Sequence, residues 1–390
     1  MFINQILDGL KNIHKPQLKF LTVLFTTIFV CGSRINFSSL ARHSVLNEKT
    51  YRRNFRQVFD FSLLNQAIIN HSNCRIEAFA MDASFIKKSG KETFGLDKFW
   101  NGCLGKAEKG LEASIISLVD VSQNASFVLT VDQTEPNSDG QTRTDKYAEQ
   151  LEKAADKILK YTRIGVFDGF YAKQKFVART VAKGFTMISR LRQDANLRHL
   201  YHGRQKPKGR RRKFAEKVDF NDLSKFEEST AMIDQKEIKL YSATVWSPSL
   251  KREIKLAVVK FKTKSVNLFS TDLEMTAKDI FRYYRSRFSI EFLIRDAKQS
   301  GGLSDCQARD NKALEFHWNA ALTSVNLARA MSNENRVEGE RKPFSMKSLK
   351  QQFYNEHLLK LFMCKSGLEQ SLVKYEETLA SLRNYAVVFS

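Results

Sequence analysis

Residues 283–302 read YYRSRFSIEFLIRDAKQSGG, which puts two tyrosines, three arginines, two carboxylates and a lysine into twenty positions. The stretch has no proline. Just upstream, Thr276–Asp279 (TAKD) has the form of a capping box with Asp in the Glu position, and the pair Gly301–Gly302 makes a stop. The pattern predicts a single helix. At about 100° per residue, Tyr284, Arg287, Glu291 and Lys298 fall at roughly 0°, 300°, 340° and 320°. All four project from one narrow stripe, while Ile280, Phe281, Phe288, Phe292 and Ile294 lie on the flanks and can bury against a core. Spacing alone leaves two readings open. One is a solvated surface helix with i,i+4 pairs such as Arg287–Glu291; the other is a helix with a reaction on one face.

Length and charge narrow the choice. At 390 residues the chain suits two or three domains, and 30 Phe supply a real core. A formal charge of +22, with no acidic tail to balance it, points to a polyanionic partner. The five cysteines (Cys31, Cys74, Cys103, Cys306, Cys364) show no paired spacing, which argues for a reducing compartment and against structural zinc. The His199–His202 segment (HLYH) reads as a loop rather than a metal site. The apolar run Phe20–Gly32 is too short to span a bilayer and reads as a buried helix. These features predict a soluble, cytoplasmic protein with no membrane partner. SGKE at Ser89–Glu92 lacks the upstream glycine and the following Ser/Thr of a phosphate-binding loop, so no ATP requirement is expected.

Along the chain, residues 1–72 read as helices. Ser38 or Ser39 is the expected cap before LARHS, and Asn47 the cap before EKTYRRNFRQVF. This small helical domain presents Lys49, Arg52, Arg53 and Arg56, with Arg52 and Arg53 as DNA-contact candidates. Near Arg75 the period changes. RIEAFAMDASFI is a strand holding Asp82. LEASIISLVDV and ASFVLTVDQ form a hairpin, and TRTDKYAEQLEKAADKILKY is a helix with Tyr147, Leu151, Ala154, Ala155 and Ile158 on one face. RIGVFD is a strand with a turn at Asp168–Gly169, followed by a helix and the strand FTMISRLR. The order β-β-β-α-β-α-β with mixed directions fits an α/β, ribonuclease-H-like mixed sheet flanked by helices. A Rossmann sheet fits worse, because no GxGxxG follows a strand. Gly203–Lys217 then breaks the pattern with a dense basic run, including Arg210, Arg211, Arg212 and Lys213. It is either a linker or a DNA-tracking loop. A β-rich insertion containing Trp246 follows, and helices run to the end. The expected organisation is an N-terminal helical DNA-binding domain at 1–72 and a core at 73–198. A basic loop and β-rich insertion occupy 199–274, the second part of the core 275–335, and a C-terminal helical region 336–390.

Polynucleotide cleavage without a covalent enzyme intermediate calls for metal ions held by a few carboxylates. Asp82 stands out, because an acid in an otherwise apolar strand is costly unless paired or metal-bound. Asp168 stands at a strand end before glycine, and Glu291 is the acid of the single-face helix. Asp120 and Asp132 are rivals, each also at a strand end; a capping or turn role is open to all of them.

The spacing Tyr284-x2-Arg287-x3-Glu291-x6-Lys298 resembles the Y-R-E-K signature of bacterial insertion-sequence transposases of the DDE type. MDASFIKKSGK and VFDGFYAK resemble the surroundings of that family's first and second acids. The resemblance spans roughly residues 35–335; Phe288 departs from it, standing where many relatives place Trp. It implies Asp82, Asp168 and Glu291 as catalytic metal ligands for two Mg²⁺, with Mn²⁺ able to substitute. It implies Tyr284, Arg287 and Lys298 as contacts to the DNA end, and Trp246 as an aromatic that holds a flipped base. It further implies an insertion in the 122 residues between Asp168 and Glu291, and double-stranded DNA as partner, both element ends and target. A homodimer in the paired-end complex and a nucleoid-associated location in a bacterium also follow. The implied activity is cleavage at terminal inverted repeats and transfer of the 3′-OH ends to target DNA, by a cut-and-paste route that in many relatives passes through a hairpin. The alternatives are a ribonuclease-H-like nuclease without strand transfer and a domesticated DNA-binding protein without catalysis.

Overall fold

The computed structural model describes residues 2–10, 13–137, 140–233, 236–261, 264–334, 344–367 and 374–387. Five helices open it: α1 (Phe2–Asp8), α2 (Lys15–Val30), α3 (Phe37–Arg42), α4 (Glu48–Asn54) and α5 (Phe61–His71). Pro16 lies in the first turn of α2, where its missing N–H leaves no bond unmade. Asn47 caps α4 by accepting the Thr50 N–H. The cap of α3 is Asn36, upstream of the expected serines; its side chain accepts the Ser39 N–H. Phe20, Tyr51, Phe55 and Phe61 form an aromatic cluster that closes on Phe316. Among the described residues no helix is long and apolar enough to cross a membrane.

The strands are β1 (Ala78–Lys87), β2 (Asp97–Asn101), β3 (Lys106–Asp120), β4 (Ala125–Gln133), β5 (Ile164–Val166), β6 (Thr186–Arg190), β7 (Arg198–Leu200), β8 (Phe214–Lys217), β9 (Glu227–Ile233), β10 (Lys236–Ser247), β11 (Arg252–Lys260) and β12 (Ser265–Ser270). α6 (Arg143–Leu159) and α7 (Gln174–Ala182) intervene between β4 and β6. All twelve strands belong to one sheet, ordered β2-β3-β1-β5-β6-β12-β11-β10-β7-β8, with β4 beside β3 and β9 beside β10. β1 runs antiparallel to β3 and parallel to β5, and β5 runs parallel to β6. The five strands β4-β3-β1-β5-β6 make the mixed ribonuclease-H-like sheet. The insertion extends it through the β12–β6 pairing instead of forming a sheet of its own.

α6 and α7 cover one face, burying Tyr147, Leu151, Ile158 and Phe176 against Phe79, Met81, Ile116 and Leu118. The other face carries the N-terminal helices and the C-terminal set α8 (Ala277–Ser286), α9 (Phe288–Asp296), α10 (Asn311–Asn333) and α11 (Met346–Ser366), with α12 (Lys374–Arg383) against α11. The outer edge of β4 is a row of backbone groups without a strand partner, a liability for edge-to-edge pairing. Asparagine side chains cover it. Asn326 of α10 accepts the Val128 N–H at 2.9 Å and donates to the Val128 carbonyl at 2.8 Å. Asn65 donates to Leu129 and Asn319 to Val131.

The stretch at 283–302 is two helices rather than one. α8 begins in the expected capping box, with Thr276 accepting the Asp279 N–H and donating to its carboxylate. The path then tightens at Arg287. Its N–H bonds to Tyr284, and Ile290 bonds back to Arg287, both i→i−3. After α9 the chain opens into a π turn, Ala297–Gly301, and stops at Gly302 with φ +80°.

Candidate active site

Asp82 stands mid-strand in β1, opposite Ile115 of β3 and beside the β5 pairing at Ala80–Val166. Two residues beyond β5, Asp168 accepts the Phe170 N–H and so caps the 3₁₀ turn Gly169–Tyr171. Parallel neighbours bring their carboxyl ends to the same edge, so β1 and β5 deliver these two acids together. Glu291 arrives from α9, which packs across β1, β3 and β4.

The three acids share one electrostatic neighbourhood. Asp82 is pushed up to about 7, first by burial and further by the negative charges of Asp168 and Glu291; Arg287 and the Ala83 N–H pull it back. Each carboxylate nonetheless has its own local partner. Asp82 accepts the Ala83 N–H at 2.9 Å, Asp168 the Phe170 N–H, and Glu291 takes Arg287 at 2.5 Å. Among the described residues no three His, Cys, Asp or Glu side chains stand close enough together to hold a metal ion. The donor set itself suits a hard divalent cation: oxygen ligands only, with the Asp82 carboxyl raised chiefly by burial and to a lesser degree by its acidic neighbours.

The other residues of the expected signature have these settings. Arg287 is buried, and its guanidinium lies 4.8 Å from the Phe288 ring. Burial raises the Tyr284 hydroxyl, while Arg287 and Arg190 draw it back down. Lys298 leaves the π turn to donate to the Phe85 carbonyl of β1 at 2.9 Å, and burial lowers its ammonium from the usual range. Arg190 and Tyr171 were not picked out from sequence. Arg190 ends β6, next to the strand that delivers Asp168; a cation at the end of a strand parallel to an acid-bearing one was the available signal. The Tyr171 hydroxyl is raised by burial and then by Asp82.

The rivals have other surroundings. Asp120 accepts the Arg75 N–H, the Ser122 hydroxyl and the Gln123 N–H, the work of a turn acid. Asp132 is raised by burial and faces Lys153 and Lys157.

The remaining candidates lie outside this cluster. Arg210, Arg211, Arg212 and Lys213 are exposed on the loop between β7 and β8, where Gln205 bonds both backbone groups of Arg212 and Arg212 covers the Tyr201 ring. His199 lies in β7, not in a loop. Trp246 is half-buried in β10 and packs on Phe214 at 5.1 Å. Arg52 pairs with Glu48 and covers Phe37, and Arg53 is exposed beside it. Arg52 also lines a cleft of about 980 Å³ with Arg56, Lys91, Phe94 and Arg309.

A sequence model described as the transposase DDE domain matches residues 73–327, from just ahead of β1 into α10. The matched segment contains all twelve strands and Asp82, Asp168 and Glu291. No curated protein matches the chain. With about two thirds of its length inside that match, on a ribonuclease-H-like sheet, the chain belongs to the DDE transposase family.

Proposed function

We propose that this transposase cuts DNA at the ends of its element and joins the freed 3′-OH ends to target DNA, with Asp82, Asp168 and Glu291 as the catalytic acids. The observation that supports the reading is that Asp168, in the turn after β5, and Glu291, on α9, both act electrostatically on Asp82 of β1. They are the residues that would hold divalent cations, Mg²⁺ or Mn²⁺. Such ions, when bound, activate the attacking oxygen and stabilise the leaving one.

The protein's own groups do the positioning. Lys298, tethered to β1, and Tyr284, between Arg287 and Arg190, grip the phosphates that flank the scissile bond. Arg287 adds a planar guanidinium suited to a bidentate phosphate contact. Arg52 and Arg53 contact flanking duplex, and the Arg210–Lys213 loop tracks the backbone of either strand. Trp246 stacks on a base turned out of the duplex, leaving Phe214 to do so. Two copies act together in the paired-end complex, in the cytoplasm of a bacterial cell.

Purified protein, a plasmid carrying the two element ends, a target plasmid and Mg²⁺ form the test. The expected result is a joined product that sequencing shows to link element 3′ ends to target DNA. Cutting without joining would reduce the chain to a nuclease, and no cutting of end-bearing plasmid would remove the reading.

A further inference from the structure

We propose that Arg287 holds Glu291 out of the metal site in the free protein, and that a phosphate of the DNA end releases Glu291 by capturing Arg287. The inference rests on the assignment of Asp82, Asp168 and Glu291 as the metal-holding acids. It adds an order of events: DNA first, the complete metal site second.

Three observations carry it. The first is the ion pair, Arg287 Nη2 to Glu291 Oε1 at 2.5 Å, whose members differ sharply in setting. The arginine side chain is 9% exposed and the glutamate 44%. The arginine is the fixed member, and the glutamate can swing away by side-chain rotation alone. The second is a donor without an acceptor: Arg287 Nε is buried and has no hydrogen-bond partner. A guanidinium offers five N–H donors in a rigid fork, and a buried donor left unmatched favours an incoming acceptor. A phosphate supplies several oxygens at that spacing, whereas the single bonded oxygen of Glu291 leaves the fork partly unmatched. The third is the state of the acids. Arg287 acts electrostatically on Asp82 as well as Glu291. Among the described residues no three His, Cys, Asp or Glu side chains form a metal-holding group.

The position of Arg287 suits the task. It stands at the tight junction of α8 and α9, where both flanking bonds are i→i−3. Its backbone is thereby fixed while its side chain can be contested by two anions. Such a device restrains indiscriminate cutting, because a protein without end DNA keeps its third acid disengaged. A purely structural i,i+4 pair would give no such coupling.

A double-mutant cycle on Mn²⁺ binding separates these cases, read from the loss of the free-ion paramagnetic resonance signal. The proteins are wild type, Glu291→Gln, Arg287→Gln and the double variant, each with and without a short, already cut end duplex. In the free wild-type background Glu291→Gln should change the Mn²⁺ dissociation constant less than about twofold. In the Arg287→Gln background, and in the wild type with duplex bound, it should weaken binding roughly tenfold, within the usual range of coupling between sites. Arg287→Met serves in place of Arg287→Gln should the latter misfold. An equal effect of Glu291→Gln in both backgrounds overturns the switch and leaves the ligand assignment standing. No effect in any background, duplex present, removes Glu291 from the metal site and the switch with it.

Discussion

At the scale of single residues, most polar groups in the interior find a partner. Asn326 is an example. Its amide meets both backbone groups of Val128 and the Asn65 side chain, and so substitutes for a missing neighbour strand. Asn326→Leu should leave those groups unpaired and destabilise the fold by about 3 kcal/mol, since each buried orphan costs about 1–3 kcal/mol. Urea unfolding measures this; a loss below about 1 kcal/mol would show that the edge is satisfied some other way. Asp82 stood out in the sequence as a candidate because a lone acid in FAMDASF contradicts its apolar strand. Asn326 was not, because an asparagine within a helix looks the same whether it faces solvent or a strand edge. Arg190 and Tyr171 were missed for a similar reason: their roles depend on which strands lie side by side.

At the scale of elements, the hydrophobic period of residues 276–302 gave the start, the faces and the stop of the site helix, but not its break. Arg287 keeps helical torsions, φ −53° and ψ −37°, so nothing in residue type marks the tightening there. The stop is enforced by close packing. A Cβ on Gly301 would come within 2.7 Å of the Ala321 backbone oxygen, and one on Gly302, besides requiring φ +80°, would meet the Ile35 Cβ at 2.4 Å. Gly301→Ala should therefore cost about 1–3 kcal/mol, as overpacking does, and should push the Lys298 turn off β1. Thermal melts beside end-cleavage assays check both effects; a variant with wild-type stability and cleavage would mean that the turn is compliant. The basic loop is tested by salt dependence. Neutralising Arg210, Arg211, Arg212 and Lys213 together should lower the log–log slope of DNA binding against salt by roughly 3–4. An unchanged slope would leave the loop solvated and unbound. The short polar strands β2, β7, β8 and β9 escaped the sequence reading, because their pairing comes from long neighbours rather than from a pattern of their own.

At the scale of the whole molecule, a net charge of +22 and a single continuous sheet give the division of labour. In the proposed reaction the charge draws DNA to the surface, and the sheet fixes where it reacts. The succession of core elements along the chain was legible because their hairpin and crossover helices are periodic, but their order in the sheet was not given by it. The joining of the insertion to the same sheet was not, since sequence order alone does not say which edge a returning strand will take; here β12 takes the free edge of β6. The central claim is that acids drawn from three distant segments act together on phosphodiester bonds. End-DNA cleavage by Asp82→Ala, Asp168→Ala and Glu291→Ala, measured beside end-DNA binding, tests it most directly. Each variant should bind the end within a few-fold of wild type and cut it at least about 1,000-fold more slowly, because losing a catalytic acid removes several kcal/mol of transition-state stabilisation. Near-normal nicking by any one of the three would contradict the account.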